Sequence, residues 1–245
     1  MAFSQRSGFS MMPQVVKNLL IINGLMFLAN ITASNVLGIR LNFNLGLYYP
    51  ESMYFEPYQL VTHLFMHGNF IHLFSNMFAL WMFGSLIENR LGSQRFFGYY
   101  FICGIGASLL HLTVNQIHFV QLSQELTGQQ MNTVYEAGRQ LMLSGQRFSN
   151  EAMNEMYLIL NIPTVGASGA VFGILLALAY LFPNERILFL FFPVPIKAKY
   201  FVIGYGLLEL YAGFSNTGGN IAHFAHVGGM IFGFVTLKLW ERRGR

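Results

Sequence analysis

Residues 166–182 read GASGAVFGILLALAYLF, one serine between two glycines at the head of an apolar run that carries no charge. As a helix this run is about 25 Å long, close to the hydrocarbon thickness of a bilayer. Gly169 and Gly173, four apart, let the backbone of a neighbouring helix approach. Ser168 is then either a packing residue or a hydroxyl kept for chemistry, and the rest of the chain has to separate the two.

Over 245 residues, 54% are hydrophobic and 10% charged, against roughly 25% charged in a soluble domain. The composition reads as an all-α membrane protein. Six spans are predicted at 15–34, 70–88, 96–117, 168–182, 200–213 and 222–240, within one domain over 15–240. The first residues, MAFSQRSGFSMMPQ, show no small-residue cleavage site, so the first apolar segment is expected to be retained. Cys103 is the single cysteine; it can form no internal disulfide and reads as a small buried side chain.

Charge placement orients the spans. With a cytoplasmic N-terminus, 11 of the 14 basic residues fall on the cytoplasmic side, leaving Arg40, Arg139 and Arg147 on the other. That asymmetry follows the positive-inside rule, and it predicts cytoplasmic ends at 1–14 and 241–245 in a multi-pass protein of the cell (inner or plasma) membrane. The +4 net charge is therefore a membrane signal, and no nucleic-acid partner is expected. Pro193 and Pro195 exclude a helix from ILFLFFPVPIKAK (187–199), which is expected to be an interfacial connection. Loop 36–66 is aromatic-rich and suits the headgroup zone. Segment 119–161 is polar and free of proline; apolar Met131, Val134, Tyr135, Leu141 and Met142 predict one or two amphipathic helices on the outer face.

The titratable inventory is narrow. The chain has no aspartate, which rules out a Ser-His-Asp triad. Nine glutamates fall in loops or at the cytoplasmic side; Glu209 alone lies in a span, and a structural or gating role is expected for it rather than transport. A serine nucleophile needs a base and oxyanion donors. AHFAHVGGMIFG (222–233) offers His226 near the outer end of the sixth span, on one face with Gly229 and Gly233. Ser168 starts the fourth span at the same depth, so the glycine-lined faces can bring the two together. His72 and Asn76, four apart on the second span, add donors at that depth, as does the helix N-terminus at Ser168. Polar groups converging inside a membrane are costly and usually functional. A metal site from His63, His67, His72, His223 and His226 is disfavoured, because no acidic or thiol ligand completes it; no metal or cofactor is expected. His63 and His67 are expected to brace the outer loop against the second span, and His111 and His118 to lie at the interface.

HGNFIHLFSNM (67–77), ENRLGS (88–93), GASGAVFG (166–173) and AHFAHVGGMIFG, in this order, resemble the rhomboid family of intramembrane serine proteases over 14–118 and 162–240. The resemblance implies a six-transmembrane-helix rhomboid-like bundle with its active site open to the extracytoplasmic side. It implies Ser168 of GxSG as nucleophile and His226 of HxxGxxxG as general base. It further implies an oxyanion hole from His72, Asn76 and backbone N–H groups around Ala167 and Ser168. Gly166, Gly169, Gly229 and Gly233 shape the site, and Phe172 matches an aromatic that packs on the catalytic histidine, here without a hydroxyl. Glu88 and Arg90 match a structural turn. Without a third carboxylate, the imidazolium is expected to rely on its surroundings. The implied substrates are single-span membrane proteins in the lipid bilayer, cut near its outer boundary, with no obligatory protein partner. The departure from the family is the long outer helical insertion, 119–161, expected to cover or border the site. The rival readings are a non-catalytic rhomboid-like protein that binds membrane clients, and a small transporter.

Overall fold

In a computed structural model the chain is described over residues 10–189, 192–215 and 223–243. Residues 1–9 and 244–245 of the predicted cytoplasmic ends, with Arg6 and Arg245, and Ala222 at the start of the sixth predicted span lie outside the described residues.

Helix α1 (Gln14–Leu37) ends at Gly38, whose φ of 68° is a left-handed stop. Helix α2 (Phe70–Leu91) begins where the Asn69 side chain accepts the His72 N–H at 2.8 Å, and contains a π-helical turn over Leu80–Gly84. Buried Glu88 joins three helices: it accepts N–H groups of Val15 (3.0 Å) and Val16 (2.8 Å) at the head of α1, and the Ser93 hydroxyl (2.7 Å) at the head of α3. A carboxylate there satisfies orphan donors and complements the helix dipole.

Helix α3 (Ser93–Glu125) has 33 residues, about 50 Å, and overruns the predicted end at 117. No proline or glycine interrupts 107–125, so the helix continues, and the predicted insertion starts as its last turns. Helices α4 (Gly128–Ser144) and α5 (Glu151–Asn161) follow, capped by Thr127, which forms a capping box with Gln130, and by Asn150. Leu122, Leu126, Val134, Met156, Tyr157 and Leu160 close a separate core with Tyr49 from the 36–66 loop. Polar segment 119–161 is thus a folded unit, because its apolar stripes face one another.

Helix α6 (Ser168–Leu181) is buried on nearly all sides, as a helix apolar all round must be. It is followed by an antiparallel hairpin, β1 (Arg186–Phe189) and β2 (Phe192–Lys197). The predicted connection is therefore paired backbone: prolines forbid a helix but are tolerated in an edge strand. Helices α7 (Ala198–Phe214) and α8 (His223–Arg243) complete the bundle, with α3, α6 and α8 in closest contact.

The outward faces of these helices carry Leu28, Ile71, Ile203, Leu207 and Phe214, all more than half exposed. So much apolar surface is unfavourable in water and suited to lipid. Helices α1, α2 and α3 are each long and apolar enough to cross a membrane. The described residues form an all-α membrane bundle of six principal helices with a helical insertion at the end where α6 begins.

Candidate active site

Ser168 is the first residue of α6, and His226 lies in the first turn of α8. The two helices touch through glycine: a Cβ on Gly229 would run into the Gly169 carbonyl, and one on Gly173 would sit 3.1 Å from the Gly229 carbonyl. Any side chain there would hold the helices apart. At this separation His226 Nε2 lies 2.9 Å from Ser168 Oγ. Gly233, expected on the same contact, instead faces α3, where a Cβ would meet Tyr99 and the Cys103 sulfur. The Tyr99 hydroxyl donates to the Gly173 carbonyl at 2.7 Å.

Phe172, one turn into α6, stacks flat on the His226 ring, centroids 4.2 Å apart and planes 7° apart. Its lack of a hydroxyl leaves this stacking intact, since the contact is made by ring faces.

The residues expected to form the oxyanion hole lie around Gly166. Its φ of 131° is a conformation only glycine adopts freely, and a Cβ there would lie 2.8 Å from His72 Nε2 and Cε1. The His72 imidazole therefore lies against the turn that leads into Ser168. The Gly68 N–H points at His72 Nδ1 at 3.4 Å, which leaves Nε2 as the ring's donor. Buried Asn76 uses one amide N–H on the His72 carbonyl at 2.8 Å; the amide has a second to give. Ala167 is buried at the helix cap, and the first N–H groups of α6 have no carbonyl partner within the helix.

The turn before Ser168 is clamped. Leu47 and Thr164 exchange backbone hydrogen bonds of 2.9 and 2.8 Å, and the Gly166 N–H donates to the His63 carbonyl at 2.9 Å. His111, expected at the interface, bonds the Thr164 hydroxyl at 3.0 Å. His63 is buried between the Gln59 carbonyl (2.7 Å) and the Ser108 hydroxyl (2.9 Å), so it braces the loop against α3 rather than α2. Burial pushes its pKa down to about 4, and that of His67 to about 3. The five histidines weighed, and disfavoured, as a metal set do not form one cluster among the described residues. Among the described residues, the donors within 4.8 Å of one another are Glu209, His223 and His226.

That cluster corrects the expectation that no carboxylate reaches the histidine. Glu209 Oε2 on α7 lies 2.8 Å from His226 Nδ1 and 2.7 Å from His223 Nδ1. Its only sequence signal was its position as the one intraspan carboxylate; the rotation of α7 that turns it inward has no signature in GLLELYAG.

A rhomboid-domain family model matches residues 54–242. The chain belongs to the rhomboid family. It is 30% identical over 176 residues to "Rhomboid protein 1, mitochondrial" of Saccharomyces cerevisiae, covering 72% of this chain and 40% of that protein. It is 27% identical over 179 residues to "Rhomboid protease GluP" of Bacillus subtilis, covering 73% and 25%. To "RHOMBOID-like protein 5" of Arabidopsis thaliana it is 30% identical over 184 residues, covering 74% and 45%. The chain thus spans less than half the length of these rhomboid relatives, and the family match over 54–242 holds the whole cluster from His72 to His226.

Proposed function

We propose that this rhomboid is an intramembrane serine endopeptidase whose nucleophile is Ser168 and whose general base is His226. The observation that carries the reading is the 2.9 Å contact between Ser168 Oγ and His226 Nε2 at the head of a buried helix. His226 Nε2 takes the hydroxyl proton as Oγ attacks a scissile carbonyl; the negative charge moves to the carbonyl oxygen. His72 Nε2–H, the Asn76 amide and first-turn N–H groups of α6 stabilise that oxygen. The tetrahedral intermediate collapses to an acyl-enzyme as His226 gives its proton to the leaving amine, and water reverses the sequence.

The substrates proposed are single-span membrane proteins, cut where small residues let the helix unwind, since an intact helix hides its carbonyls. The charge asymmetry supports a plasma-membrane orientation with the Ser168 end extracytoplasmic and both termini cytoplasmic. The competing reading, a client-binding protein without catalysis, keeps the bundle and discards the chemistry. Co-reconstitution with a panel of single-span reporters carrying small residues near the outer boundary separates them. Products from wild type and none from Ser168→Ala are expected; co-purification of reporters without any product would favour the client-binding reading.

A further inference from the structure

Resting on the protease reading, we propose that Glu209 is a positioning residue that turns the Ser168–His226 pair into a Ser-His-Glu arrangement. One carboxylate oxygen lies 2.8 Å from His226 Nδ1, while Nε2 of the same ring lies 2.9 Å from Ser168 Oγ. With Nδ1–H given to the carboxylate, the neutral ring presents its Nε2 lone pair to the serine, the tautomer a general base requires.

The placement is specific to one side of α7. Leu207, Leu208 and Tyr211 are each more than 60% exposed toward lipid, whereas Glu209 between them is 7% exposed. A buried carboxylate is costly unless donors surround it. Here His223, three residues before His226 on α8, donates to the same oxygen at 2.7 Å. The His223 ring stands at 88° to that of His226. His223 thus steadies the carboxylate, the carboxylate selects the nitrogen, and the Phe172 stack fixes the ring plane. When the serine proton moves to Nε2, the new imidazolium faces a carboxylate that stays ionised, and no proton passes to Glu209.

The test is the rate of fluorophosphonate labelling of Ser168 in the full chain, followed against pH. The ionisable side chains around His226 are Glu209 and His223, with His72 on α2 and His111 on α3 acting on it at longer range and Tyr205 beside Glu209. Glu209→Gln keeps the shape and removes the charge. Its labelling rate is expected to fall about 10²–10⁴-fold, with the acid limb of the profile displaced to lower pH. A purely structural role would lower thermal stability and leave that limb in place. Wild-type rate and an unmoved limb in folded Glu209→Gln would overturn the inference. If that variant fails to fold, the wild-type proton spectrum decides: a far-downfield His226 Nδ1–H resonance, retained in Ser168→Ala, is expected, and its absence overturns the inference. Wild type that takes no label at all defeats the protease reading instead, and the same resonance then tests the Glu209 bond independently.

Discussion

At Gly166 the backbone has a φ of 131°, and the His72 imidazole occupies the place a side chain would take. Gly166→Ala is therefore expected to store about 1–3 kcal/mol of strain and to displace His72. If His72 is an oxyanion donor, labelling or cleavage falls roughly 10²-fold or more, with a lower melting temperature. His72→Ala should match the rate loss without the strain, which separates the two effects. Some of these contacts were legible in the residues themselves: glycines on two spans implied a close approach, and Ser168 and His226 sat at the same depth. Glu209 was not, because spacing within α7 says which residues share a face but not which face meets α8. His63 differs from its expected brace for a similar reason, since Ser108, which meets its ring, lies on α3, far along the chain, whereas the His67 ring does lie against His72 of α2.

Between elements, the decisive contact is Gly229 against Gly169. Gly229→Ala places a methyl on a carbonyl that belongs to a helix backbone and cannot swing away. It is expected to cost about 1–3 kcal/mol as overpacking and to abolish labelling by parting Ser168 from His226. Gly204→Ala on α7, where nothing lies within 4 Å, is the control; it should be neutral or stabilise by up to about 1 kcal/mol. The loop before α2 gives a pH signature. His63 and His67 are held neutral, with pKa values of about 4 and about 3. The unfolded chain binds their protons from about pH 6.5 downward, so stability is full above that value. It declines as pH falls toward 4 and below, by up to about 1.4 kcal/mol per unit for each histidine. Thermal unfolding at pH 7 and pH 5 checks this, and His63→Gln should reduce the difference. The extent of α3 and the strand pairing of 186–197 escaped the sequence, because a polar helix end resembles a loop in hydropathy and a proline-bearing hairpin lacks alternation.

For the whole molecule, composition and the order of four motifs were sufficient to anticipate an all-α bundle, since lipid permits few other solutions. The insertion was legible as helical but not as a folded unit, because its core borrows Tyr49 and the end of α3. It leads through Ile162 and Pro163 directly into the clamped turn before Ser168, which supports a role in substrate access. Replacing 127–160 by a short linker is expected to change cleavage rate or substrate choice while Ser168 still labels; unchanged cleavage of every reporter would remove that role. The central claim is that Ser168 is a nucleophile activated by His226. Mass spectrometry of the purified chain after fluorophosphonate treatment tests it most directly. One adduct is expected, mapped to Ser168 and lost in both Ser168→Ala and His226→Ala; an unmodified wild type, or an adduct that survives Ser168→Ala, would show that Ser168 is not the nucleophile.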